Sequence, residues 1–163
     1  MEPSVLQQRL GAAIDVGDLE AIRACVQDGA DLATPVDGWL PALHYACRRP
    51  SGAEAVHLIL QLGADVNAMD MEGSTAVAIA APWGCASAIR LLAMAGANVN
   101  AEDPRGYSPL SAAVFRGRTE VVRELVTAGA DVNGISQLGG SLVYLACRRG
   151  DAGMVRLLAD LGA

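Results

Sequence analysis

The stretch Gly63-Ala64-Asp65-Val66-Asn67-Ala68 decides the fold, because the chain repeats it. It returns as Gly96-Ala97-Asn98-Val99-Asn100-Ala101 and, ending in glycine, as Gly129-Ala130-Asp131-Val132-Asn133-Gly134. A shorter form stands at Gly29-Ala30-Asp31, and the sequence ends on Gly162-Ala163. The glycines lie 34 residues apart from Gly29 to Gly63 and 33 apart at each later step. Self-similarity at such a period is the mark of stacked repeats. A second marker keeps the same phase. Ala13, Ala80, Ala113 and Ala146 each stand 16 residues before their glycine, and Ala46 stands 17 before Gly63, so that unit carries one extra residue.

The unit from Met69 to Ala101 shows how one repeat is built. Thr75 is placed to N-cap a first helix through Ala76–Ala81, its hydroxyl taking a free backbone N–H. Pro82 is expected to stop that helix, lacking a donor and clashing with the preceding turn. Gly84 reads as a left-handed turn residue before a second helix over Ala86–Met94, whose Ala88, Ile89, Leu91 and Leu92 fall at helical spacing. Gly96 ends it. The first unit offers Leu6, Leu10, Ala13, Leu19, Ile22 and Val26 inward, with Gln7, Gln8 and Arg9 as a polar face. The extra residue of the second unit falls in the turn Arg48–Gly52, where insertions are tolerated.

Composition agrees with thin, closely stacked layers. The 163 residues hold one Phe, two Trp and three Tyr, while apolar residues make up 52%. A core without rings must be made of Ala, Leu, Val and Ile. The net charge of −6 disfavours nucleic acid as a partner. All 12 basic residues are arginine, each a planar fork suited to carboxylates and stacking. Cys25, Cys47, Cys85 and Cys147 form no close pair, and His44 and His57 have no ligand spacing around them. The cysteines are expected to be small buried hydrophobes in a reducing compartment, with no metal and no cofactor. The N-terminus carries no signal-peptide pattern. The longest charge-free run, Gly73 to Ile89, is short for a bilayer span and is broken by Pro82 and Gly84. The expectation is an intracellular, cytoplasmic protein with no membrane insertion.

A 33-residue period with segments such as Pro41-Ala42-Leu43-His44-Tyr45-Ala46 and Gly63–Ala68 resembles the ankyrin repeat. Only His44 keeps the histidine of that first motif and only Thr75 its threonine. The resemblance implies an all-α solenoid of stacked helix-turn-helix units with β-hairpin-like finger loops. It divides the chain into a cap at 5–34 and repeats at 35–68, 69–101, 102–134 and 135–163. It also implies a concave side, lined by finger tips and first-helix ends, that binds a partner protein. The residues carried onto that side are Leu40, Arg48, Arg49, Met71, Glu72, Trp83, Arg105, Tyr107, Phe115, Arg116, Leu138, Arg148 and Arg149. Six arginines against Asp37, Glu72 and Glu102 make this set net positive on an acidic chain, which suits an acidic segment. Trp83 and Phe115 are the expected anchors, since exposed aromatics beside arginine make hot spots. Against this stand plainer readings: arginines complementing helix C-termini, and an indole folded onto Pro82 as packing.

No nucleophile with its base, phosphate-binding loop or HExxH motif is present, so a non-catalytic adaptor or scaffold is expected. The alternatives are a fixed subunit of a larger assembly and a piece of a longer multidomain repeat protein. Met154, Val155, Leu157, Leu158 and Leu161 make the last helix apolar for an end cap, so association through the C-terminal end is expected.

Overall fold

The computed structural model describes residues 4–49, 51–135 and 139–163. Among the described residues, five helix pairs follow one another. They are α1 Val5–Val16 with α2 Leu19–Gln27, α3 Ala42–Cys47 with α4 Ala53–Gln61, and α5 Ala76–Trp83 with α6 Ala86–Met94. The last two are α7 Pro109–Arg116 with α8 Thr119–Thr127, and α9 Leu142–Arg148 with α10 Ala152–Asp160. The first helices α1, α3, α5, α7 and α9 stack in order, and α2, α4, α6 and α8 stack as a second layer. No helix among the described residues is long and apolar enough to cross a membrane.

Side chains read from the sequence cap several of the helix starts. Thr75, Ser108 and Ser141 accept from the backbone amides of Ala78, Ser111 and Tyr144, filling donors that a helix start leaves open. The expectation that Pro82 ends its helix is corrected. The helix runs through Pro82 to Trp83 and ends at Gly84, whose φ of 84° gives the left-handed cap. Pro82 sits in the final turn, so it forfeits one backbone hydrogen bond and interrupts nothing downstream.

One core runs the length of the stack. Ile59, Leu92, Leu125 and Leu158 hold the same place in successive second helices and are fully buried. Ala46, Ala80, Ala113 and Ala146 are also fully buried, which lets the first helices approach closely. Asparagines stitch the loops between repeats. Asn67 donates to the Gly96 carbonyl (3.2 Å) and accepts from the Asn98 amide (2.8 Å). Asn100 repeats this with Gly129 (3.2 Å) and Asp131 (3.1 Å).

Gln7 is not on a polar face as its neighbours suggested. It is buried and donates to the Asp31 and Thr34 carbonyls at 2.8 Å each while accepting from the Asp31 amide. Its amide closes the first loop much as the asparagines close the later ones. Burial of the cysteines holds for Cys25, Cys47 and Cys85 but not for Cys147, which is exposed. The reason lies in the stacking. Cys47, Ala81 and Val114, the same position in earlier repeats, are covered by the next repeat, and among the described residues no further helix packs on the side of α9 that faces away from α7. Burial pushes the Cys47 and Cys85 thiols up, away from the reactive thiolate.

His44 is fully buried, and its Nε2 donates to the Ser74 carbonyl at 3.0 Å, while Nδ1 has no hydrogen-bond partner among the described residues. Burial lowers its pKa below the ordinary imidazole value, against the opposing pull of the Ser74 carbonyl and the Asp70 carboxylate. The unfolded chain therefore binds this proton first as pH falls. Stability from neutral His44 is full above about pH 6.5 and declines below it, until folded His44 also protonates. The urea midpoint of the wild type is expected to drop between pH 7.5 and 5.5, and His44→Gln is expected to flatten that drop.

Candidate functional site

Three of the fingers are shaped by an aspartate that caps its own turn. Asp70 Oδ1 accepts from the Glu72 amide (2.9 Å) and the Ser74 amide (2.8 Å). Asp103 does the same for Arg105 (2.9 Å) and Tyr107 (2.8 Å). Asp37 caps the first full finger through Trp39 (2.9 Å) and Leu40 (2.7 Å). Backbone pairing of Val36 with Leu40, Asp70 with Ser74, and Asp103 with Tyr107 sets the fingers in register. In that register Gly73 and Gly106 occupy the fourth position, while the first finger places its left-handed glycine, Gly38, one residue earlier. Trp39 consequently fills the place where the other two fingers carry glycine, and 66% of it is exposed.

The fingers and first helices enclose two grooves, each between neighbouring repeats. The first, of about 320 Å³, has Trp39, Leu40, Met71, Ile79 and Trp83 as its apolar walls. Asp37, Asp70, Glu72 and Arg48 supply its charge. Trp83 is 48% and Met71 69% exposed, whereas Leu40 is buried at the base. The second, of about 260 Å³, lies one repeat further on. Ala78, Pro82, Tyr107, Ala112 and Phe115 line it, with Arg105, Arg116 and Asp103. The charge therefore divides along this face, with three carboxylates to one arginine in the first groove and two arginines to one carboxylate in the second.

Several of the arginines on this side also join repeats. Arg49 pairs with Asp15 and donates to its carbonyl at 3.4 Å. Arg118 donates to the Pro82 carbonyl at 3.1 Å, and Arg149 donates to the Phe115 carbonyl. Asp15, Pro82 and Phe115 each lie two residues beyond the repeated alanine, so at three of the interfaces an arginine meets the negative end of the preceding first helix. The remaining interface uses another pairing. Trp83 stands where Arg49 and Arg149 stand in their repeats, and the Arg48 guanidinium lies 5.2 Å from its ring centroid. Arg48 also faces Asp37 at 3.9 Å.

Ankyrin repeats, described as three copies, match residues 43–136 and again 78–163. The chain belongs to the ankyrin-repeat family. It is similar to the ankyrin repeat domain-containing protein 40 of Mus musculus, 32% identical over 83 residues. It is 31% identical to the Homo sapiens protein of the same description over the same length. The match takes in 50% of this chain and 22% of either relative's length. Ankyrin repeats generally serve protein–protein interaction and are typically non-catalytic.

Within this ankyrin domain, Leu40, Arg48, Met71, Glu72 and Trp83 meet in the first groove, and Arg105, Tyr107, Phe115 and Arg116 in the second. Arg148 is exposed beside Tyr144, its guanidinium 6.0 Å from the ring. Leu138, with Gln137, lies outside the described residues. The sequence reading missed Trp39, Asp70, Asp103 and Ile79. The shifted glycine at Gly38 was the available signal for Trp39, since it moves the exposed turn position onto the indole. No cluster of three or more metal-ligating side chains occurs among the described residues.

The arginines on this face divide by their contacts. Arg149 holds a carbonyl of the preceding repeat and lies 5.5 Å from the Phe115 ring centroid, whereas Arg116 makes no salt bridge among the described residues. Arg149→Ala is expected to lower stability by about 1 kcal/mol, and Arg116→Ala to stay within about 0.5 kcal/mol of wild type. Parallel urea titrations of the two variants check this.

Proposed function

We propose that this chain is a non-catalytic adaptor or scaffold module that binds a partner protein through the face formed by its fingers and first helices. The observation that carries the reading is the gathering of exposed rings on one face. Trp39, Trp83 and Phe115, half of the chain's six aromatics, are 66%, 48% and 45% exposed and line the two grooves. Such side chains beside arginine are what binding hot spots are made of. Leu40, Arg48, Met71 and Glu72 complete the first groove, and Arg105, Tyr107 and Arg116 the second. Arg148 extends the basic side of the face, while Arg49 and Arg149 hold its repeats in place. An acidic residue of the partner belongs opposite Arg105 and Arg116. The setting is intracellular and cytoplasmic, in keeping with four unpaired cysteines.

Capture from lysate on wild-type chain, beside Trp39→Ala/Trp83→Ala and a control variant Glu54→Ala on the second-helix side, tests the reading. A partner retained by the control and lost by the tryptophan variant supports it. A partner retained by both places the binding surface elsewhere.

A second reading has its own observation. Cys147 lies at a position that is buried in earlier repeats, as at Cys47, and the half-exposed Tyr144 stands where His44 and Ser111 are buried. That end face suits a fixed contact within a larger assembly. Stable monomeric sedimentation of the purified chain at high concentration would argue against this alternative.

A further inference from the structure

The two grooves differ in charge and lie one repeat apart, and this combination constrains what fits across them. The first groove sets Asp37, Asp70 and Glu72 around the tryptophans against Arg48 alone. Arg48 is itself a cation seated there, 5.2 Å from the Trp83 ring centroid and 3.9 Å from Asp37. The groove's chemistry therefore already accommodates a guanidinium on an aromatic face beside a carboxylate. Trp39 and Glu72 are exposed on the same groove and offer a second such place. A cation over tryptophan is held by the ring's negative face and gains from a neighbouring carboxylate. The second groove is the converse. Arg105 and Arg116 are exposed and form no salt bridge among the described residues, and the one carboxylate present, Asp103, is committed to capping its finger.

Spacing follows from the stacking of α5 on α7, since packed helices lie about 8–10 Å apart. A polyproline-II segment rises about 3.1 Å per residue with three residues per turn, so side chains at i and i+3 share a face about 9 Å apart. In a β-strand, same-face side chains fall about 6.6 or 13 Å apart, which matches neither one repeat nor the grooves. Polyproline II is the extended form whose period equals that of the stack.

We infer that the finger face reads a polyproline-II segment of a partner protein, with a lysine or arginine in the Trp39–Trp83 groove and a carboxylate three residues away at Arg105 and Arg116. This rests on the finger face being the binding surface. It adds what that surface selects: a charge pair of fixed order and spacing in place of a uniformly acidic ligand.

A phage-displayed library of random dodecapeptides, selected on the full chain, tests it. The expected pool carries Lys or Arg at one position and Asp or Glu three residues away. A synthetic peptide from that pool is expected to bind Glu72→Arg and Arg116→Glu at least about tenfold more weakly. Reversing its basic residue to Glu is expected to restore binding to Glu72→Arg but not to Arg116→Glu. Both substitutions are at exposed side chains, and thermal melts verify folding. A pool that loses binding to Trp39→Ala/Trp83→Ala yet shows no charge pair, or one at another spacing, overturns the inference and leaves the binding face standing. A pool indifferent to the tryptophan substitutions, or an empty pool, overturns both.

Discussion

Leu92→Ala is expected to cost about 2–5 kcal/mol of unfolding free energy, enough to unfold a large part of the chain at moderate urea. Leu92 is fully buried in α6, the middle of the second-helix layer, with α4 packed on one side and α8 on the other. Removing its branched end forfeits transfer energy and leaves a cavity that helices held on both sides cannot close. A domain's whole stability is about 5–15 kcal/mol, so one such cavity takes a large share. Position in the stack should matter as much as burial. Leu158, in the equivalent place and equally buried, lies in the last repeat. In a quasi-one-dimensional stack, Leu158→Ala should release mainly the terminal unit, whereas Leu92→Ala weakens both interfaces of the central one. Hydrogen exchange read by mass spectrometry distinguishes the two. Leu92→Ala should raise exchange from α4 through α8, and Leu158→Ala only in α9 and α10. Equal and local effects would show that the repeats do not share one cooperative core.

The second large effect concerns binding. Trp39→Ala with Trp83→Ala is expected to weaken partner affinity by at least about 100-fold. Truncating one hot-spot tryptophan costs about 2 kcal/mol or more, and the pair shares a groove, so the two losses will not add simply. The single variants separate recognition from folding. Trp39 occupies a finger tip and is 66% exposed, so its truncation should change stability by no more than about 0.5 kcal/mol. Trp83 also carries the Arg48 stacking that adds a link between the second and third repeats, so Trp83→Ala should lose up to about 1 kcal/mol of stability as well. Calorimetric titration against the captured partner, with melts of each variant, measures both quantities. Unchanged affinity in the double variant, with the fold intact, would remove this groove from the binding surface.

Legibility differed between layers of the molecule. The repeat period, the helix pairs and their caps were all readable, because each depends on residues close in sequence. Thr75, Ser108 and Ser141 bond amides three residues ahead. Pro82 was misread because the cost of proline depends on its distance from the helix end, and that end is set by Gly84. Gln7 was misread because its partners, Asp31 and Thr34, are 24 and 27 residues away. The charge of the finger face turns on contacts of the same kind. Counting finger-tip residues omitted Asp70 and Asp103, which the turns fold back into the grooves, and treated Arg49 and Arg149 as equivalent to Arg116.

The amino-acid sequence by itself determined the family, the unit length, the two helices of the Met69–Ala101 repeat to within two residues, and the aliphatic character of the core. Those properties follow from periodicity and local backbone chemistry, which the chain expresses wherever the same short pattern recurs. Only the tertiary structure decided which side chains share a groove, which arginines bind carbonyls of a neighbouring repeat, and how charge is distributed along the face. Those depend on contacts between residues about one period apart, such as Arg149 with Phe115 and Arg48 with Trp83. The stacking of whole repeats brings such residues together, and no local pattern encodes which of them will meet.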